Sequence, residues 1–295
     1  MTAAIHTENL SRRYRDQVAL EAVSLDVAHD SITGLLGRNG AGKSTFMRLL
    51  TGQEFATSGT ITVFGENPVE NDHILRQLVF VREDQVFPDF KVRHALELAA
   101  CFYPNWSSEL AETLMADFAL PRNRRIKKLS RGMRSALSIV LGLSARAEIT
   151  LLDEPYAGLD AVARQLFYDR LLEDYSRFPR TVLLSTHLID EAAGLLEHVV
   201  LIDHGRIALD APADEARGKA VTVNGPATSV RQFVEGRHVW HRREIGSRAA
   251  VTVGGGIDDG DRAWARQLGV TLEPLSLQQL IVHASGQQDE MRVPV

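Results

Sequence analysis

Short apolar runs, alternating runs and helical-period runs succeed one another along the chain, and together they predict an α/β protein. The run Ile32 to Leu36 reads as a strand buried on both faces, and Phe46, Leu49 and Leu50 follow it at helical spacing. Ile149 to Asp153 and Thr181 to Leu184 repeat the buried-strand pattern. Residues 5–10 and 18–27 alternate instead, as strands with one solvated face do, and flank the polar stretch Arg12-Arg13-Tyr14-Arg15-Asp16. Tyr14 in that stretch suits either stacking on a base or a surface position in a turn. Ser58 to Gly65 is a short β-branched strand ended by glycine, and Leu78 to Val81 is another, leading into Arg82-Glu83-Asp84-Gln85.

From Val92 the period becomes helical. Arg93 to Phe102 and Glu109 to Phe118 carry apolar residues at helix spacing, with the loop Tyr103-Pro104-Asn105-Trp106 between them. Strand signals return only near residue 147, so a helical subdomain is expected over about 88–147. The basic run Arg122, Arg124, Arg125, Lys127 and Lys128 within it reads as a solvated face or as a contact for anionic lipid or phosphate. His198 to Ile202 and Arg206 to Leu209 read as a hairpin around Asp203-His204-Gly205, closing a first domain over 1–212.

Residues 213–219 then read as a polar linker. Beyond it lie strand-like 220–223, helical 229–234, strand-like 238–245 and 249–253, helical 259–268 and strand-like 270–275. This β-α-β-β-α-β order is the ferredoxin-like pattern, so a small α+β domain is expected over 220–285. It would include a last helix over 277–284, and the tail 286–295 is expected to be disordered.

A length of 295 residues accommodates one large α/β domain plus a smaller one, and 44% hydrophobic residues is ordinary for a globular protein. The net charge of −5 gives no global reason to bind nucleic acid. No segment has the roughly 18 uninterrupted apolar residues of a membrane span, and the N-terminus lacks the apolar stretch of a secretory signal. The single cysteine, Cys101, excludes an internal disulfide, fits a reducing cytosol and reads as a small core residue. His238 and His241, three apart on a strand, face opposite sides and do not make a metal site.

The chemistry is concentrated at three strand ends. Gly37 through Gly42, Lys43 and Ser44 matches G-x-x-x-x-G-K-[ST], between a predicted strand and a predicted helix as that motif requires. Gly37, Gly40 and Gly42 let the main chain curl so that several N–H groups face one anion, and the helix N-terminus adds positive potential. Lys43 is suited to the β- and γ-phosphates, and the Ser44 hydroxyl to Mg²⁺. Asp153 and Glu154 end a buried strand, where they face the ligand crevice of an α/β sheet. Asp153 is placed to hold Mg²⁺ through water, and Glu154 to polarise the attacking water as general base. His187, just past the strand Thr181 to Leu184, can point into the same crevice.

Taken in order, these residues resemble the nucleotide-binding subunit of an ATP-binding-cassette (ABC) transporter, over roughly residues 4–210. Leu129-Ser130-Arg131-Gly132-Met133 is similar to the family signature Leu-Ser-Gly-Gly-Gln, with Arg131 for a glycine and Met133 for the glutamine. Ala157-Gly158-Leu159-Asp160 resembles the dimer-contact loop, His187 matches the switch histidine that senses the γ-phosphate, and Tyr14 falls where the adenine-stacking aromatic lies. The family's glutamine loop follows Val81, and its glutamine position falls on Arg82, Glu83 or Gln85 according to where a gap is placed.

The resemblance implies the P-loop NTPase fold of ABC ATPases, an α/β core with an antiparallel β subdomain and a helical subdomain. It implies ATP and Mg²⁺ as cofactors, with Glu154, His187 and Lys43 catalytic and with Ser44 and Asp153 holding the metal. Nucleotide binding would fall to Tyr14, Gly37, Arg38, Asn39, Gly40, Ala41, Gly42, Lys43, Ser44, Thr45, Glu83, Gln85, Ser130, Gly132 and Asp160. Each ATP would lie between one subunit's phosphate loop and the signature of a second cassette, identical or not. The implied function is to hydrolyse ATP and power an exporter of drugs, antibiotics or lipids. The partner would be a separately encoded integral-membrane permease, reached from the cytoplasmic face of the cell membrane. The alternative is a soluble ABC-type ATPase of nucleic-acid repair or translation. One phosphate loop, no heptad run and a net negative charge count against it, and no nucleic-acid partner is expected.

Overall fold

The computed structural model describes residues 3–218 and 220–280, and the chain divides into two compact units between Ile207 and Ala208. In the first unit, β1 (Ile5–Tyr14) turns at Arg15 and Asp16 into antiparallel β2 (Gln17–Val27). After β3 (Ile32–Leu36) and α1 (Lys43–Leu50), β4 (Ser58–Val63) returns to the other edge of β1 and completes a three-stranded antiparallel sheet. The polar stretch read between two strands is partly strand itself. Arg12, Arg13 and Tyr14 pair with Leu20, Val18 and Gln17, with a register shift between Arg12 and Arg13, because backbone pairing continues to the two-residue turn whatever the side chains.

The second sheet supplies the site. The short α2 (Asp72–Leu75), opened by the Asn71 side chain, leads to β5 (Leu78–Arg82). Then come the helices α3 (Val92–Phe102), α4 (Ser108–Asp117) and α5 (Arg131–Ser144). Beyond them β6 (Ile149–Asp153), α6 (Ala161–Arg177), β7 (Thr181–Ser185), α7 (Ile189–Ala192), β8 (His198–Asp203) and β9 (Arg206–Pro212) alternate. The sheet order is β5-β6-β7-β3-β8-β9, with β5 through β8 parallel to their neighbours. Every residue of β3, β6 and β7 is buried, as expected of parallel strands covered on both faces. Parallel strands all present their C-terminal ends to one edge, so Leu36, Asp153 and Ser185 end together.

Cys101 is exposed, contrary to the core position its residue type predicts. It lies on the face of α3 opposite buried Val92 and Leu96, in a row with Leu98 and Phe102, which are 55% and 53% exposed. The basic run is neutralised locally: Arg122 pairs with Glu112, and both Arg125 and Lys127 pair with Asp89.

In the second unit, residues 213–218, read as a linker, form α8 (Ala213–Gly218), whose Ala213 and Ala216 are buried. Next come β10 (Ala220–Pro226), α9 (Ala227–Val234), β11 (Val239–Ile245), β12 (Arg248–Gly254), α10 (Asp259–Leu268) and β13 (Thr271–Pro274). Their sheet is antiparallel throughout, in the order β11-β12-β10-β13. Its core joins Val223, Val251 and Val253 to Val230, Phe233 and Ala265 of the helices, and Trp264 stacks on Phe233 at 5.1 Å. Asp258 and Asp261 form a reciprocal cap at the start of α10, and Gly269 closes it at φ 67°. Residues 277–280 are helical as expected, while 281–284 of that helix and the tail 286–295 lie outside the described residues.

Candidate nucleotide site

The site begins where β3 stops. Gly37, Gly40 and Gly42 take φ values of 146°, 82° and 114°. At two of them only hydrogen fits: a Cβ on Gly37 would stand 2.2 Å from the Ile202 carbonyl oxygen, and one on Gly42 2.5 Å from that of Ala19. No side chain caps α1, so its first N–H groups face the loop's concavity unclaimed. Lys43 Nζ donates to the carbonyl oxygens of Gly37 at 2.8 Å and Arg38 at 3.1 Å. Burial pushes the Lys43 pKa below its usual value, against the opposing pull of Glu154 and Asp153. An anion in the loop would add to the counter-charge that those two carboxylates supply.

A cleft of about 500 Å³ opens over the loop. It is lined by Tyr14, Gln17, Ala19, Asn39, Gly40, Gly42, Lys43, Ser44, Thr45, Glu83, Asp153, Glu154, Ala157 and His187. Gly37, Arg38 and Ala41 form the backbone beneath it, with the Ala41 carbonyl tied to the Gly205 N–H. Tyr14 reaches the cleft from the end of β1; its hydroxyl bonds Glu54 and the Arg12 guanidinium lies 4.5 Å from its ring centre.

Register decides the opposite wall. Asp153 pairs with Ser185 across β6 and β7, so the residues that follow each strand meet over the cleft. Glu154 leaves the sheet in the left-handed region, at φ 48°, unusual for a residue with a side chain. Its Oε2 accepts the Tyr156 hydroxyl at 2.7 Å and lies 2.6 Å from His187 Nδ1, while Oε1 is buried with no hydrogen-bond partner.

The residues expected to bind nucleotide do not all converge. Of the three glutamine-loop alternatives, Glu83 lines the cleft and pairs with Arg131 at 2.6 Å. Arg82 turns to Gln53 and Asp84, and Gln85 lines a separate cavity with Arg134 and Ser138. Ser130 and Asp160 are helix caps, accepting from the Met133 and Ala163 N–H groups. Gly132 packs so closely on the Gly158 carbonyl that a Cβ would stand 2.6 Å from it. None of these three lines the cleft of its own chain. Gln17, Ala19, Ala157 and Tyr156 were not anticipated as parts of this site. Tyr156 alone had a local signal, its place two residues after Glu154.

Among the described residues no group of three or more His, Cys, Asp or Glu could hold a metal unaided. Ser44 and Asp153, both lining the cleft, instead present the hard oxygen donors suited to a Mg²⁺ shared with substrate phosphates.

The family model described as ABC transporter matches residues 20–157. Nod factor export ATP-binding protein I of Cupriavidus metallidurans is 35% identical over 213 residues, 70% of this chain and 70% of that protein. The ABC transporter ATP-binding protein YtrB of Bacillus subtilis is 26% identical over 220 residues, 74% of this chain and 75% of that one. A solved ATP-binding subunit of an ABC transporter superposes with a TM-score of 0.66 at 27% identity, covering 73% of this chain and 92% of that chain. A bacterial Atm1-family ABC exporter with ATP bound shares the fold, at a TM-score of 0.62 and 23% identity over 72% of this chain and 39% of that chain.

Proposed function

The chain belongs to the ATP-binding subunits of ABC transporters and is an ATPase of that family, and from this we propose that it powers a membrane exporter by ATP-driven pairing of two cassettes. The observation that carries the reading is the cleft that Glu154 and His187, 2.6 Å apart at Oε2 and Nδ1, share with the glycine loop and Lys43. The loop amides and Lys43 bind the β- and γ-phosphates of ATP, and Tyr14 stacks on the adenine. Ser44 and Asp153 would hold Mg²⁺, which supplies charge neutralisation on the phosphates. Glu154 takes a proton from the attacking water. His187, with Nδ1 directed to Glu154, keeps Nε2 for the γ-phosphate.

A second cassette completes the site. Ser130, Gly132 and Asp160 stand away from the cleft of their own chain, which supports their serving the nucleotide of a partner. The permease reading draws on exposed apolar side chains, Val86, Phe90, Leu98 and Phe102, gathered in the segment that follows Glu83. No helix among the described residues is long and apolar enough to cross a membrane, so attachment to the inner face of the cell membrane would be through that partner. Relatives named for Nod factor export support the outward direction.

The test is co-purification of tagged Glu154→Gln protein from mild detergent extracts of its host with ATP present. A stoichiometric polytopic membrane protein is expected. A wholly soluble partner, ribosomes or DNA would overturn the transporter reading.

A further inference from the structure

From the wall of the cleft at Glu154 back into the protein, four polar groups form a continuous chain. The Leu188 N–H donates to Thr186 Oγ1 at 2.9 Å, Thr186 Oγ1 meets the Tyr156 hydroxyl, and that hydroxyl donates to Glu154 Oε2 at 2.7 Å. Once Tyr156 gives its only proton to Glu154, the Thr186 hydroxyl must be the donor to Tyr156, so every link has one direction. Thr186 is fully buried and Tyr156 is 3% exposed. Burial, and then the charge of Glu154, push the Tyr156 pKa up, so the hydroxyl keeps its proton and stays a donor. Its ring is fixed edge-on between His187 at 6.0 Å and Tyr168 at 6.2 Å.

We propose that Tyr156, backed by Thr186, is a positioning residue for Glu154: its hydroxyl occupies Oε2 and so fixes the rotation of the carboxylate that receives the proton of water. The proposal rests on Glu154 being the general base. Two features support it. Glu154 sits at φ 48°, a conformation that a non-glycine residue keeps only when its surroundings hold it, and the Tyr156 bond is one such hold. The two oxygens of the carboxylate are also unequal: Oε2 has two partners and Oε1 none, although both belong to a side chain only 13% exposed. Without the Tyr156 hydroxyl, His187 alone would hold Oε2. The carboxylate could then rotate about its last bond and offer water the wrong oxygen or the wrong angle. Thr186 lies directly before His187, so the same chain ties the base to the histidine that faces the γ-phosphate.

The test uses the full-length chain with Tyr156→Phe and Thr186→Val, beside Glu154→Gln. Tyr156→Phe keeps the ring and removes only the donor. Its kcat for ATP should fall about tenfold while KM and ATP affinity stay within about twofold, because the misplaced base does not contact ATP in the ground state. Thr186→Val should show the same split with a smaller loss of kcat. Wild-type kcat in Tyr156→Phe overturns the proposal. So does a parallel loss of ATP affinity, which would show that the hydroxyl merely supports the wall of the cleft. Glu154→Gln separates the two ideas: if it turns over ATP like the wild type, the base assignment fails. If it is inactive while Tyr156→Phe is unimpaired, only the positioning role fails.

Discussion

Glu154→Gln is the sharpest perturbation of the site, because the structure fixes what the amide can and cannot do. The side-chain oxygen of the introduced glutamine can occupy the Oε2 position and accept from both Tyr156 and His187, so packing and nucleotide contacts persist. The NH₂ group then stands where Oε1 was, in a buried spot without an acceptor, and a neutral amide in place of the carboxylate cannot take a proton from water. General base catalysis is worth about 10²- to 10⁴-fold in rate, or roughly 3–5 kcal/mol of barrier. The assay is phosphate release at saturating ATP, with sedimentation in Mg-ATP run in parallel. Turnover should fall by about 10² or more, ATP affinity should stay near wild type, and a closed dimer should accumulate. Turnover within about twofold of wild type would refute the argument that the Glu154 carboxylate is the proton acceptor.

Other consequences are equally direct. Lys43→Ala removes a buried cation from the loop and should weaken ATP binding itself by about 10- to 100-fold, seen as a raised Kd in a fluorescent-nucleotide titration. Phe102→Glu places a charge in the exposed apolar row of α3; ATP affinity should be unchanged while co-elution with the membrane partner is lost. In the second unit the Arg237 side chain holds the Asp261 carboxyl below its usual range. A carboxylate with a depressed folded pKa contributes stability that is complete above its unfolded value of 3.8 and disappears as pH falls toward the folded value. Acid titration followed by Trp264 fluorescence should show that loss below about pH 4, and Asp261→Asn should remove that part of it and lower stability at neutral pH.

Much of this protein is written in neighbouring residues. The glycine loop, Lys43 and Ser44 act through one continuous segment, and Ile32 to Leu36 and Ile149 to Asp153 are buried strands by their own apolar content. Strand period and the G-x-x-x-x-G-K-[ST] spacing therefore determine the fold class and the phosphate site, since both depend on backbone geometry over a dozen residues. Contacts between distant segments are a different matter. That Glu83 and not Gln85 reaches the cleft depends on how the chain leaves β5, and which face of α3 carries Cys101 depends on which neighbour covers the other. The helix at 213–218 draws on the burial of two alanines, which polar composition alone conceals. The meeting of Tyr156 with Thr186, thirty residues apart, follows from the pairing of Asp153 with Ser185. A one-residue slip in that register would turn every side chain to the opposite face and separate them. The sequence determined which groups are suited to phosphate chemistry; the packing of β6 beside β7 decided which oxygen of Glu154 is held by Tyr156 and His187.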